Sequence, residues 1–471
     1  MQRLTGLDAS FLYLETPQQL QHVCALLTLD PSTVPGDHTV DAFARRLAER
    51  CARIPVFRRK LYSTAFNLDH PVWVADEEFD VDNHVFRVEL PAPGGREELD
   101  ELCADVAGTP MSRDRPLWEM HVVDGCADGR LAVVVKMHHA GIDGVSGANL
   151  ISYLSSLEPD APLPEPPQED LGPPSAVDVI GAGLAGFVRK PVELARLLPE
   201  LLGVAPAFIA RSLRGDGMRL PFTAPRTSVN GTITGERSVA HVDLPLDDVK
   251  RVKNAFGVTV NDVVLALCSG ALRMFFEERG ELPDKPVLAT VPVSVRDRSQ
   301  RSDDGSNKVS TLFSSLPTHL ADPVARLREL GDSNRKAKRH HESIPADILQ
   351  DWAQFAAPTT FGLAVRAYSA LRLAEKHPVV HNLVISNVPG PPMPLYLLGA
   401  RITGMYPFGP VFHGAGLNIT VVSLAGRVDV GLIAARNQVA DLWPLADAIS
   451  AALAELVRAA ELATDGGSGR D

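Results

Sequence analysis

The chain has no run of 18 or more uninterrupted apolar residues, so no transmembrane helix is expected. Its opening, MQRLTGLDASFLYLETPQQ, lacks the basic stretch followed by an apolar stretch that marks a secretory signal. Cysteine is scarce: Cys24, Cys51, Cys103, Cys126 and Cys268 are odd in number, widely spaced and form no C-x-x-C pair. That pattern suits neither a disulfide framework nor a structural zinc site, and it points to reduced thiols in a cytoplasmic setting. Positive charge is short as well. Lys and Arg number 46 against 58 Asp and Glu, a formal net charge of −12, which argues against sequence-independent binding to nucleic acid. No G-x-S-x-G nucleophile elbow occurs; GVSGAN (144–149) sets a serine among glycines at the wrong spacing. No internal repeat of solenoid period is present either.

What is present suits a large α/β protein. The 471 residues, 45% of them hydrophobic, are roughly three times the usual domain length of about 150 and are read as two large lobes. The sharpest break is PDAPLPEPPQEDLGPPS (159–175), whose prolines remove backbone donors and bias their neighbours toward extended structure. The expected organisation is a first lobe over 1–160, a crossover linker with apolar helices over 161–235, a second lobe over 236–463 and a disordered tail over 464–471. Strands are expected at 22–30, 130–139, 287–295, 382–386 and 428–434. Helices are expected at 40–52, 96–108, from about Asn261, and at 443–462. Within the linker, residues 176–215 read as short helices packed over the lobes, or as an interfacial surface with Arg189, Lys190, Arg211 and Arg214 at its polar margin.

KMHHAGIDGVSGANLISYL (136–154) is the most informative run. A strand ends at His138 and His139, Gly141 permits a tight turn, and Asp143 can cap a helix beginning at Gly144. Adjacent rings on a strand point to opposite faces, so one histidine is expected to meet substrate while packing or a hydrogen bond holds the other. An imidazole with an ordinary pKa of about 6.5 is suited to taking a proton from an alcohol. Two other readings stand beside this one: ordinary turn histidines, as in His340-His341 of KAKRHHESI, and a metal set of His138, His139 and Asp143. Divergent rings argue against the metal, and none is expected.

HHAGIDG fits the HHxxxDG signature of CoA-dependent acyltransferases and of peptide-synthetase condensation domains. Further segments narrow the match: LTGLDASFLYLE (Leu4 to Glu15), PLWE (Pro116 to Glu119), VNDVVLALCSGALR (Val260 to Arg273), VPVSVR (Val291 to Arg296) and SNVPGP (Ser386 to Pro391). Together they resemble the bacterial wax ester synthase/diacylglycerol acyltransferase family, in that family's order. The resemblance implies two chloramphenicol-acetyltransferase-like α/β lobes, each a mixed sheet flanked by helices, with an active-site channel between them. It also implies His139 as catalytic base, with His138, Asp143 and Gly144 in support and Arg296 as partner for Asp143. Pro116, Leu117, Trp118, Asn261, Asp262, Asn387, Pro389 and Gly390 become channel candidates. For each of these a structural role competes: core packing for Pro116-Leu117-Trp118, a helix N-cap for Asn261-Asp262, and a rigid turn for SNVPGP. Arg335, Lys336, Lys338 and Arg339 could meet CoA phosphates or form a solvated helix face.

The implied reaction is direct transfer from acyl-CoA, a substrate rather than a cofactor, to diacylglycerol or a long-chain alcohol. No cofactor is expected, and contact with the membrane surface or lipid droplets is. Two alternatives remain: a condensation-type enzyme using a carrier-protein thioester, and a non-catalytic lipid-surface protein of the same fold.

Overall fold

The structure is a computed structural model that describes residues 2–34, 36, 39–63, 70–141, 153–163, 165, 221–294, 309–341 and 358–465. The first half supplies β1 (Gln2–Arg3), α1 (Gly6–Leu14), β2 (His22–Asp30), α2 (Val40–Ala52), β3 (Arg59–Tyr62), β4 (Val72–Ala75), β5 (Val85–Glu89), α3 (Arg96–Gly108), β6 (Trp118–Asp124) and β7 (Leu131–His138). The second supplies β8 (Arg237–Pro245), α4 (Leu246–Phe256), α5 (Val260–Glu278), β9 (Val287–Ser294), β10 (Val309–Leu316), α6 (Pro323–His341), α7 (Pro358–Ala370) and β11 (Leu383–Pro389). It continues with β12 (Tyr396–Leu397), β13 (Ala400–Phe408), β14 (Leu417–Leu424), β15 (Arg427–Ala435) and α8 (Trp443–Asp465).

Two six-stranded mixed sheets organise the molecule, in the orders β12-β13-β2-β7-β6-β5 and β10-β9-β11-β14-β15-β8. The first contains two strands from the far end of the chain. Residues 396–408, expected within the second lobe, therefore complete the sheet of the first. α2 lies over one face of that sheet, with Leu47 and Phe43 meeting Val133, Val135 and Met120. α3 lies over the other, with Cys103 and Ala104 against Cys24, Leu26 and Val134. In the second sheet Val291, Ile385, Val421 and Leu432 bury against α5 and α8. α5 carries buried apolar residues almost all round, as a core helix must.

The lobes are fused rather than merely adjacent. Ile433 and Val239 share one core cluster with Leu26 and α3. The fully buried Asp429 carboxylate accepts the Met405 N–H at 2.8 Å. Gly431 lets the chains pass: a Cβ there would stand 2.0 Å from the Pro407 carbonyl oxygen.

Most expected elements fall where the residue pattern put them. The final helix extends to Asp465, so positions 464–465 of the expected tail are helical, and 466–471 lie outside the described residues. So do positions 176–215 of the linker. Among the described residues, no single helix is long and apolar enough to cross a membrane. All five cysteines are free.

Candidate active site

β7 is buried along its whole length and delivers the histidine pair to one end of the first sheet. His138 closes the strand, and His139–Gly141 form a 3-10 turn. Main-chain bonds clamp this corner from two sides. The His138 N–H donates to Leu117 O at 3.1 Å, and the His139 N–H to Gln21 O at 2.7 Å.

The two rings have different surroundings. His138 Nδ1 accepts the Ala140 N–H at 3.1 Å, which places the proton of the neutral ring on Nε2. That atom lies 3.5 Å from Glu15 Oε2. The other Glu15 oxygen lies 3.6 Å from His22 Nε2, and Arg113 pairs with the same carboxylate. Burial alone would raise the Glu15 carboxyl, but hydrogen bonds and charge from His138 and Arg113 override it and hold it at about 2. Glu15 is thus a fixed anion that ties the end of α1 to the histidine strand.

His139 instead stacks on Phe11, with ring centroids 3.7 Å apart and planes at 18°. Burial lowers its pKa to about 4; a hydrogen bond to its own main chain opposes the shift, and neighbouring His138 adds to it. The rings do not converge, since His138 faces Glu15 and His139 faces Phe11. A neutral, stacked imidazole can act as a base.

The PLW motif supports this corner. Trp118 is 2% exposed, and its indole N–H donates to Phe57 O at 2.8 Å. Leu117 packs with Trp73, Leu4, Leu12 and Ala140 beneath the histidine turn, and Pro116 is buried. Asn261 and Asp262 do not form the expected N-cap pair. Thr259 caps α5, and Asp262 completes a capping box by accepting from Thr259 N at 3.0 Å and Oγ1 at 2.7 Å. The cap of this T-x-x-D box lies two residues before the expected Asn261. The remaining Asp262 oxygen accepts from Asn334 Nδ2 at 2.9 Å, binding α6.

Asn261 is left to another partner: Asn387 Nδ2 donates to its Oδ1 at 3.1 Å, joining two motifs 126 residues apart. Pro389 ends β11 exposed to solvent. Gly390 follows at a close approach, where a Cβ would stand 2.2 Å from Ser423 O. Arg335 and Lys336 are exposed on α6. Asp143, Gly144 and Arg296 lie outside the described residues.

Sequence reasoning did not single out Phe11, Glu15, Gln21 or Arg113. A signal existed for two of them. Phe11 and Glu15 are four apart, so they project from one side of α1 and its first following residue, and α1 packs against both the histidine turn and α7 of the second half.

Comparisons with known proteins identify the family. Residues 4–264 match the wax ester synthase/diacylglycerol acyltransferase catalytic domain, and residues 305–457 match the C-terminal domain of the same family. The chain is 46% identical over 472 residues to a putative diacylglycerol O-acyltransferase of Mycobacterium tuberculosis, covering 100% of this chain and 93% of that one. A second M. tuberculosis protein, a probable diacylglycerol O-acyltransferase, is 37% identical across 96% of this chain and 98% of its own. Among solved structures, the wax ester synthase/diacylglycerol acyltransferase from Marinobacter aquaeolei superposes with a TM-score of 0.71 at 31% identity, covering 98% of this chain and 100% of that one. A condensation domain of the calcium-dependent antibiotic synthetase shares the fold, with a TM-score of 0.56 at 15% identity over 97% and 96% of the two chains. The chain belongs to the wax ester synthase/diacylglycerol acyltransferase family.

Proposed function

We propose that this protein transfers a long-chain acyl group from acyl-CoA to the hydroxyl of a lipid alcohol, making triacylglycerol from diacylglycerol and wax ester from a long-chain alcohol. The observation that carries the reading is the His139 imidazole, held neutral by burial and oriented by the Phe11 stack.

The His139 imidazole takes the hydroxyl proton while the alcohol oxygen attacks the thioester carbonyl carbon. The tetrahedral intermediate collapses, the C–S bond breaks, and the imidazolium returns the proton to the CoA thiolate. Ester and CoA leave, and the base is restored. With a pKa of about 4, the ring is almost wholly in its basic form at neutral pH. It is a weak base in the empty site and gains strength as negative charge develops beside it. No acyl-enzyme and no cofactor take part. His138, fixed by Glu15 and Ala140, positions the turn; Asp143, Gly144 and Arg296 are proposed as supporting residues. The Asn261–Asn387 pair, Pro389 and Gly390 are proposed to border the substrate channel. The lipid acceptor places the protein at the cytoplasmic surface of a membrane or a lipid droplet.

The test is to incubate the protein with palmitoyl-CoA, dioleoylglycerol and hexadecanol and identify the neutral lipids formed. His139→Ala is expected to lower turnover by roughly a hundred- to ten-thousand-fold while the circular dichroism and melting profiles stay those of a folded protein. Full turnover in a folded His139→Ala protein would falsify the assignment.

A further inference from the structure

The carboxamide of Gln21 is an anomaly beside the histidine turn. The residue is 0% exposed, yet neither its Nε2 nor its Oε1 has a hydrogen-bond partner among the described residues. A buried amide left unpaired is costly, and such groups are rare in folded proteins. Its main chain is fully engaged: the N–H donates to Glu15 Oε1 at 3.4 Å and the carbonyl accepts from His139. Only the side chain is left over.

Strand register places that side chain. His22 pairs with His138 across antiparallel β2 and β7, and the His139 N–H to Gln21 O bond continues the ladder by one residue. Gln21 therefore stands across from the first residue of the histidine turn, joined to it by that main-chain bond. An amide in that place has both a donor and an acceptor free beside the turn that carries the base.

We infer that Gln21 is a specificity residue that recognises an ester or hydroxyl group on the carbon next to the reacting hydroxyl, and so selects acylglycerols over plain fatty alcohols. This rests on the acyl-transfer reading above. In diacylglycerol the neighbouring carbon bears an ester, whose carbonyl can accept the Gln21 Nε2–H while the free hydroxyl faces His139. A long-chain alcohol has a single oxygen, which His139 occupies, so it leaves the amide unpaired. A site built around a polar group rejects the analogue that lacks its partner far better than an apolar pocket can reject an extra methylene.

The experiment is a competition between dioleoylglycerol and hexadecanol at equal concentration, with palmitoyl-CoA as donor and the full-length protein. Wild type and the variants Gln21→Leu and Gln21→Glu are compared by the ratio of kcat/KM for the two acceptors. Gln21→Leu removes both polar atoms, and the ratio is expected to shift toward hexadecanol by roughly 5- to 150-fold, the equivalent of about 1–3 kcal/mol. Gln21→Glu keeps the shape but loses the donor, and is expected to shift the ratio the same way. The melting temperature of Gln21→Leu is expected to rise, because an unpaired amide has been replaced by an apolar side chain. Parallel loss on both acceptors, or an unmoved ratio in a folded variant, overturns the inference and leaves the acyl-transfer reading standing. A wild-type protein that makes neither ester overturns both.

Discussion

The two sheets share size and mixed topology, but they bury different chemistry. In the second, the side facing α5 and α8 is apolar, with Ala289, Val291, Leu383, Ile385, Ile419 and Val421 all buried. In the first, His22, Lys136 and His138 lie buried on the strands that β2 and β7 contribute. Lys136 Nζ, 0% exposed at its side chain, reaches Glu119 Oε2 at 3.1 Å and Thr109 O at 2.7 Å. Burial would raise the Glu119 carboxyl, yet His121 and Lys136 bring it down to about 2. Charges inside a protein are expensive unless each is paired. The first sheet bears that cost at its histidine corner, whereas the second keeps its buried carboxylate, Asp429, on the side that meets the first lobe and leaves the side toward α5 and α8 apolar.

The contrast can be broken most directly at Lys136. Lys136→Met leaves Glu119 and the Thr109 carbonyl without their buried partner and is expected to destabilise the protein by about 3–5 kcal/mol, read as a fall in the urea midpoint. A Lys136→Met/Glu119→Leu double variant should recover much of the loss, and failure to recover any would show that the pair does more than neutralise itself. In the second lobe, Leu272→Ala in α5, where the leucine is 0% exposed, is expected to cost about 2–5 kcal/mol by opening a cavity. Its kcat at a temperature well below melting should stay near wild type. A collapse of kcat there would mean that the scaffold takes part in the chemistry.

Acid sharpens the comparison with a smaller, graded effect. Burial lowers His22 to about 3 and His139, His381 and His413 to about 4. As pH falls below 6.5 the unfolded chain takes up protons that these folded rings refuse, so stability falls with pH through that window. Glu15 and Glu119, held at about 2, extend the fall below pH 4.5, because there too the unfolded state binds more protons. Each fully titrating site contributes about 1.4 kcal/mol per pH unit. Urea midpoints at pH 7.5, 6 and 5 should therefore decline steadily, and a flat series would contradict the buried, neutral histidines.

The elements themselves were legible because local chemistry specifies them. Residues 40–52 form α2 between Thr39, whose hydroxyl caps its start, and Arg53, and 22–30 form β2 around the apolar run 23–27. The histidine turn was legible from Gly141 and from the motif around it. The sheet that 396–408 would join was not, since alternating apolar residues look alike whichever neighbour they find. Gln21 escaped notice for a related reason. A polar residue next to a strand reads as surface, and only the three-dimensional ladder reveals it buried opposite the histidine turn. Glu15 lay in a segment quoted for its resemblance, but its partners are 98 and 123 residues away, at Arg113 and His138.

The strand pair at 396–408 also orders events during synthesis. β2 is flanked by β7 on one side and β13 on the other, so until residue 408 has left the ribosome the nascent chain presents β2 as an open edge. Open edges recruit other strands. A chaperone, or a delay in collapse, must shield that edge while most of the polypeptide is translated, and any shortened product ending before Ala400 would retain the histidines yet expose a sheet ready to aggregate.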